Sequence, residues 1–98
     1  MNIQAMMKQA QKMQKDMMDA KGKIDEMEFV CTKSFVTIKA NGKKVITSVK
    51  IDNELLEKED IEMLEDLILV ATNDVMKQID DETEKQLGKY TQGMPGLF

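Results

Sequence analysis

Lys8, Lys12 and Lys15 are spaced four and three residues apart, so on a helix they form a single stripe of positive charge. Lys21 and Lys23 flank that stripe one to two turns later. Such a row attracts an anion and donates hydrogen bonds to it, with no bond made or broken. It reads equally as an ordinary solvated helix face. A second group, Lys39, Lys43, Lys44 and Lys50, lies in a stretch with no acid between Glu28 and Asp52, and it too is either a solvated face or an anion-binding one.

Bond-making chemistry is poorly provided for. The chain contains no His, no Trp and no Arg, and a single cysteine, Cys31. Without an imidazole, neither the Ser-His nor the Cys-His nucleophile pair can be built. Zinc sites of the Cys/His type are excluded within one chain. No glycine-rich phosphate loop occurs, and Asp52-Asn53-Glu54 lacks the glycine and the alternation of a calcium loop. Cys31 reads as a small strand residue, half-buried or buried, and not as a reactive thiol. It has no internal disulfide partner, in keeping with a reducing compartment. These absences predict a binding protein and not an enzyme, with no cofactor and no small-molecule substrate.

Charge is unevenly spread. Residues 1–50 hold ten Lys and five acids, a balance of +5, while residues 51–98 hold four Lys and thirteen acids, a balance of −9. The net charge is −4. The asymmetry fits a basic surface for an anionic partner, or opposite halves that attract one another within a dimer. Ninety-eight residues make one domain. No apolar run approaches the length of a bilayer span, so no membrane partner is expected. The N-terminus alternates Met, Lys and Gln without a continuous apolar stretch, so the cytoplasm is the expected compartment.

The elements that must carry these residues are legible from periodicity. Ile3, Met6, Ala10, Met13, Met17, Ala20, Ile24 and Met27 alternate spacings of three and four, a heptad seam, which predicts a helix over 1–27. Gly22 falls opposite the seam. A helix from 3 to 27 is ~37 Å long, whereas a compact domain of this size has a radius of gyration of only ~13 Å. The helix should therefore overhang its domain. Its Met-rich stripe is either an intramolecular core or a dimer seam, and the length favours a second copy of the chain as cover.

The middle, 28–51, reads as about three antiparallel strands. Val36, Ile38 and Ala40 alternate with Phe35, Thr37 and Lys39, and Val45, Thr47, Val49 and Ile51 share a face in the next strand. Asn41-Gly42 between them predicts a two-residue type I′ turn, which needs φ > 0 at both positions. That turn pairs Ala40 with Lys43, Ile38 with Val45 and Val36 with Thr47, and sets Lys39 opposite Lys44. Residues 57–87 read as helical again. Ile61, Leu64, Ile68, Ala71 and Val75 form a stripe with Met63, Leu67 and Val70 beside it, wider than a sheet-facing stripe needs. Glu57, Glu59, Asp60 and Glu62 crowd the helix start, where the helix dipole favours acids. Residues 88–98, with Gly88, Gly93, Pro95 and Gly96, read as a loose tail. The whole is an α+β single domain.

Several stretches, in this order, resemble the YbaB/EbfC family of bacterial nucleoid-associated proteins. They are Met6-Met7-Lys8-Gln9-Ala10-Gln11-Lys12-Met13-Gln14, Val36-Thr37-Ile38 with Asn41-Gly42, and Val49-Lys50-Ile51-Asp52, followed by Glu59-Asp60-Ile61-Glu62-Met63-Leu64-Glu65-Asp66-Leu67-Ile68 with Asn73-Asp74, and Gly93-Met94-Pro95-Gly96-Leu97-Phe98. The likeness spans nearly the whole chain. It departs at Thr32-Lys33-Ser34, where the family often has a glycine pair, and at Asn53 and Lys58, where proline is often seen.

The resemblance implies a tweezer-like homodimer, located in the nucleoid, that binds DNA and alters its conformation without catalysis. Lys8, Lys12, Lys15, Lys21 and Lys23 are then the first DNA-binding candidates, and Lys39, Lys43, Lys44 and Lys50 the second. Ile3, Met6, Met13, Met17, Ile61, Leu64, Leu67, Ile68 and Ala71 are candidates for the dimer interface. Without arginine the commonest specific base contact is missing, so contact should run from Lys to phosphate. The alternative is an adaptor dimer that grips another protein through its coiled-coil-like N-terminal helix and acidic C-terminal half.

Overall fold

A computed structural model describes residues 2–54 and 56–91. Helix α1 runs Ile3–Glu26. Its first turn is capped by Asn2, whose side-chain oxygen accepts from the Ala5 N–H at 3.1 Å. It stops where Met27 turns extended. Three strands follow, β1 (Glu28–Lys33), β2 (Val36–Asn41) and β3 (Ile46–Ile51), paired antiparallel in the order β1-β2-β3. A 3-10 turn at Lys58–Asp60 leads into helix α2, Ile61–Thr91. In that turn the Asp60 carboxylate accepts from the Glu57 N–H at 3.1 Å.

The core is one layer between α2 and the sheet. Val36, Ile38 and Ala40 of β2 are completely buried, as the alternation requires, and Phe29 and Cys31 of β1 lie beside Ala40 and Ile38. Ala71, Val75 and Ile79 of α2 close over them, and Ile24 and Leu87 complete the cluster. α2 covers β1 and β2 and makes no contact with β3. Gln78 fastens it to the sheet edge, donating to the Val30 carbonyl at 3.0 Å and to Asp74 at 2.8 Å. Phe35 is not an outward strand residue. It sits in the turn before β2 and packs against the core.

The hairpin differs from the two-residue turn expected of Asn41-Gly42. Val36 pairs with Ile51, Ile38 with Val49 and Ala40 with Ile46, with a bulge between Lys39 and Ala40. The connection is a β-turn closed by the Lys44 N–H to the Asn41 carbonyl at 3.0 Å, and the residue at positive φ is Lys44 (65°). This is the longer hairpin pattern of a turn followed by one left-handed residue. Asn41 braces it, its side-chain oxygen accepting from the N–H groups of Lys43 and Val45 at 2.9 and 3.3 Å. Lys39 therefore faces Ser48 and not Lys44. Gly42 is needed for space: a β-carbon there would lie 1.8 Å from the Ile24 carbonyl oxygen.

Two further expectations are corrected at the helices. α2 is continuous to Thr91, so residues 88–91 belong to it, and the remainder of the expected tail, 92–98, lies outside the described residues. The helix ends later because polar residues past Ile79 still have i,i+4 partners, as in Gln86 to Glu82 at 2.9 Å. The heptad seam of α1 is also split. Met17 and Ala20 pack against the core and Ile24 is in it, whereas every residue from Ile3 to Asp16 is exposed. The overhang is real: the molecule measures 71 × 21 × 14 Å with a radius of gyration of 19.4 Å.

Candidate nucleic-acid interface

The exposed half of α1 is an arm of about four turns with two faces. Lys8, Lys12 and Lys15 occupy one, all exposed, with no ion pair to any described residue. Lys23 is also exposed, with no ion pair among the described residues, but lies a turn or more away at the packed end of the helix. Lys21 is different: its ammonium is bonded to Asp25 one turn on, which occupies part of its donor capacity. A β-carbon added to Gly22, opposite the seam, would meet nothing within 4 Å, so that side of the helix is open.

The hairpin lysines do not form one free set. Lys39 lies 3.5 Å from Glu28 and Lys44 2.5 Å from Asp80, a pairing across elements that spacing could not reveal. Lys43 and Lys50 are exposed and have no ion partner among the described residues. Lys33 leans toward Asp74 at 3.8 Å. Two cations went unnoticed in the sequence. Lys85 and Lys89 are exposed on the last turns of α2, four residues apart, with Lys89 over the Tyr90 ring at 5.0 Å. Their i,i+4 spacing was the available signal, obscured by reading 88 onward as tail.

Electrostatics elsewhere are structural. Cys31 is buried at the β1–α2 junction. Burial, reinforced by its hydrogen bond to Asp74, pushes its thiol pKa up, which disfavours the nucleophilic thiolate. The Asp74 carboxyl is held below the usual carboxylate range, first by the Gln78 amide and then by the Cys31 thiol donating to it. Among the described residues no three metal-ligating side chains converge.

The dimer candidates are sorted as sharply as the lysines. Ile3, Met6, Met13 and Ile61 are exposed, and Met17, Leu64, Leu67 and Ile68 are half-buried against the chain's own core. Ala71 is fully buried by the sheet and cannot meet a partner. Its place in the apolar stripe was read correctly, but the surface that it faces belongs to the same chain. Among the described residues no helix is long and apolar enough to cross a membrane.

The whole pattern has close parallels in known proteins. A nucleoid-associated protein of Oceanobacillus iheyensis is 52% identical, the match covering 99% of this chain and 97% of the relative. One of Clostridium novyi is 48% identical over 100% and 90%, and one of Enterococcus faecalis 44% identical over 98% and 94%. The family model for YbaB/EbfC DNA-binding proteins matches residues 1–94. With that model spanning almost the whole chain, the protein belongs to the YbaB/EbfC DNA-binding family.

Proposed function

We propose that this chain is a non-catalytic, nucleoid-associated protein that binds DNA as a homodimer and alters its conformation, gripping phosphates through α1. One observation carries the reading: Lys8, Lys12 and Lys15 form an unpaired row on an arm that stands clear of its own fold. A free ammonium row on a rigid helix can follow a phosphate backbone, and each contact releases a condensed counterion. Lys offers charge without the fork geometry that reads guanine, so binding is governed by backbone and shape more than by base sequence. Two arms in a dimer supply two rows for one duplex. Lys23, Lys43 and Lys50 extend the basic surface, whereas Lys21, Lys39 and Lys44 are committed to Asp25, Glu28 and Asp80.

The test is DNA mobility shift over a range of salt concentrations. Binding that weakens linearly in log salt, with a slope of several phosphate contacts, is the expected result. Salt-independent binding, or none, leaves the second reading, an adaptor for another protein. That reading has its own observation, the exposed Ile3, Met6, Met7 and Met13 on the same arm.

A further inference from the structure

The apolar seam of α1 outlasts the helix that covers it. α2 runs back along α1: Ile24 shares the core with Ile79 and Leu87, and Tyr90, in the last turn of α2, lines a groove with Ala20 and Asp16. α2 ends at Thr91, and on α1 burial stops at Met17. Toward the start of α1 the same stripe continues uncovered. Ile3, Met6 and Met13 are 66%, 57% and 42% exposed, and Ala10 between them is exposed too. The residues that follow Thr91 are Gln92-Gly93-Met94-Pro95-Gly96-Leu97-Phe98, a run without charge in which Met94, Pro95, Leu97 and Phe98 are apolar.

We infer that residues 92–98 lie back over the arm of their own chain and cover the seam from Met13 to Ile3. Four arguments favour this occupant. The first is continuity: the run leaves α2 where the helix stops covering the seam, so it extends a contact that Met17, Ala20 and Ile24 already make. The second is reach. Gly93, Pro95 and Gly96 disfavour further helix, and seven extended residues span up to about 23 Å, against about 15 Å from Met13 to Ile3 along the helix. The third is chemistry: both surfaces are apolar and uncharged, so their contact desolvates no ion. The fourth is tethering, because a segment joined so close to its seat is present there at an effective concentration on the order of mM, which a separate partner does not match. The cover leaves the lysine row free. Lys8, Lys12 and Lys15 each follow a seam residue, Met6, Ala10 and Met13, by two positions, which sets them on the opposite side of the helix.

The experiment is disulfide trapping in the full chain, on a Cys31→Ala background shown to be folded by circular dichroism. Ala10→Cys with Leu97→Cys, oxidised at low micromolar concentration, should close a disulfide within one chain. It appears on a non-reducing denaturing gel as a monomer-mass band that runs faster than its reduced form. Lys12→Cys with Leu97→Cys, on the opposite face, should close about tenfold more slowly or less completely. Equal trapping on both faces, or none at Ala10, overturns the inference. A disulfide between two chains overturns it as well, and gives the seam to a second copy. Methionine-methyl NMR on the chain with its native cysteine is the second readout. Leu97→Ser/Phe98→Ser should shift the Met6 and Met13 methyl signals, which lose the Phe98 ring beside them, and leave that of Met27, at the end of α1, in place. Met6 and Met13 signals that stay where they are in wild type overturn the inference and leave the arm to a separate protein.

Discussion

The Ile24 carbonyl oxygen occupies the space where a side chain on Gly42 would have to be, 1.8 Å from an ideal β-carbon position. The end of α1 and the tip of the β2–β3 hairpin are thus fitted backbone against backbone. That contact joins the exposed α1 arm to the sheet, and it leaves no flexible group to yield.

Gly42→Ala should therefore destabilise the domain by about 2 kcal/mol or more, a fall of more than ~8 °C in Tm for a domain of this size. Thermal denaturation followed by circular dichroism measures it. The positive-φ residue, Lys44, gives the contrast: Lys44→Gly removes the left-handed strain but also the Asp80 ion pair, and should change stability by less than ~1 kcal/mol. If the two variants melted alike, the close approach would not be what requires glycine.

Changing Lys8, Lys12 and Lys15 together to Gln should weaken binding to all DNA sequences alike. The slope of log affinity against log salt should fall by up to about three. The fold should be unaffected, since all three side chains are exposed and unpaired. Wild-type affinity and slope in the triple variant would move the site to Lys43, Lys50, Lys85 or Lys89.

Lys21 should matter less than its neighbours. Its ammonium is held by Asp25, so Lys21→Gln should reduce the salt slope by clearly less than Lys12→Gln does. Asp25→Asn should free that ammonium and tighten DNA binding. Equal slopes for the two lysine variants would mean that the ion pair gives way to DNA.

Asp74 and Cys31 predict opposite pH dependences. The carboxyl of Asp74 has its pKa lowered by Gln78 and Cys31. Its contribution is present above the ordinary carboxylate range and is lost as pH falls through the folded value. Asp74→Asn should be less stable than wild type at pH 7, with the gap closing on acidification. Cys31 has a raised pKa, so its contribution is full below the ordinary thiol range and is lost as pH rises through the folded value. Urea midpoints at pH 3, 7 and 10 check both. Alkylation of Cys31 at pH 8 should be slow in buffer and fast in urea.

How much could be read from residues alone is clear at particular places. The heptad run predicted a long first helix, and alternation put Val36, Ile38 and Ala40 on one face of a strand. These follow from local periods of 3.6 and 2, which any chain must respect whatever it packs against. The lysine row on α1 was legible for the same reason, because helical spacing alone places Lys8, Lys12 and Lys15 on one stripe. Family membership was also readable, since it lies in the order of motifs.

What packs against what was decided only in three dimensions. Asn41-Gly42 looks like a type I′ turn locally, but Gly42 answers to Ile24, eighteen residues away, and the register moved with it. The seam of α1 is uniform in sequence, yet its second half packs within the fold and its first half is exposed, with no place in the core among the described residues. Ala71 and Ile61 belong to one apolar stripe, and only the sheet's position buries the first and leaves the second exposed. Lys39 and Lys44 are spent on Glu28 and Asp80, acids supplied by other elements. Periodicity reports which side of an element is apolar. Which neighbour fills that side depends on contacts between distant residues, and those are settled by the assembled backbone.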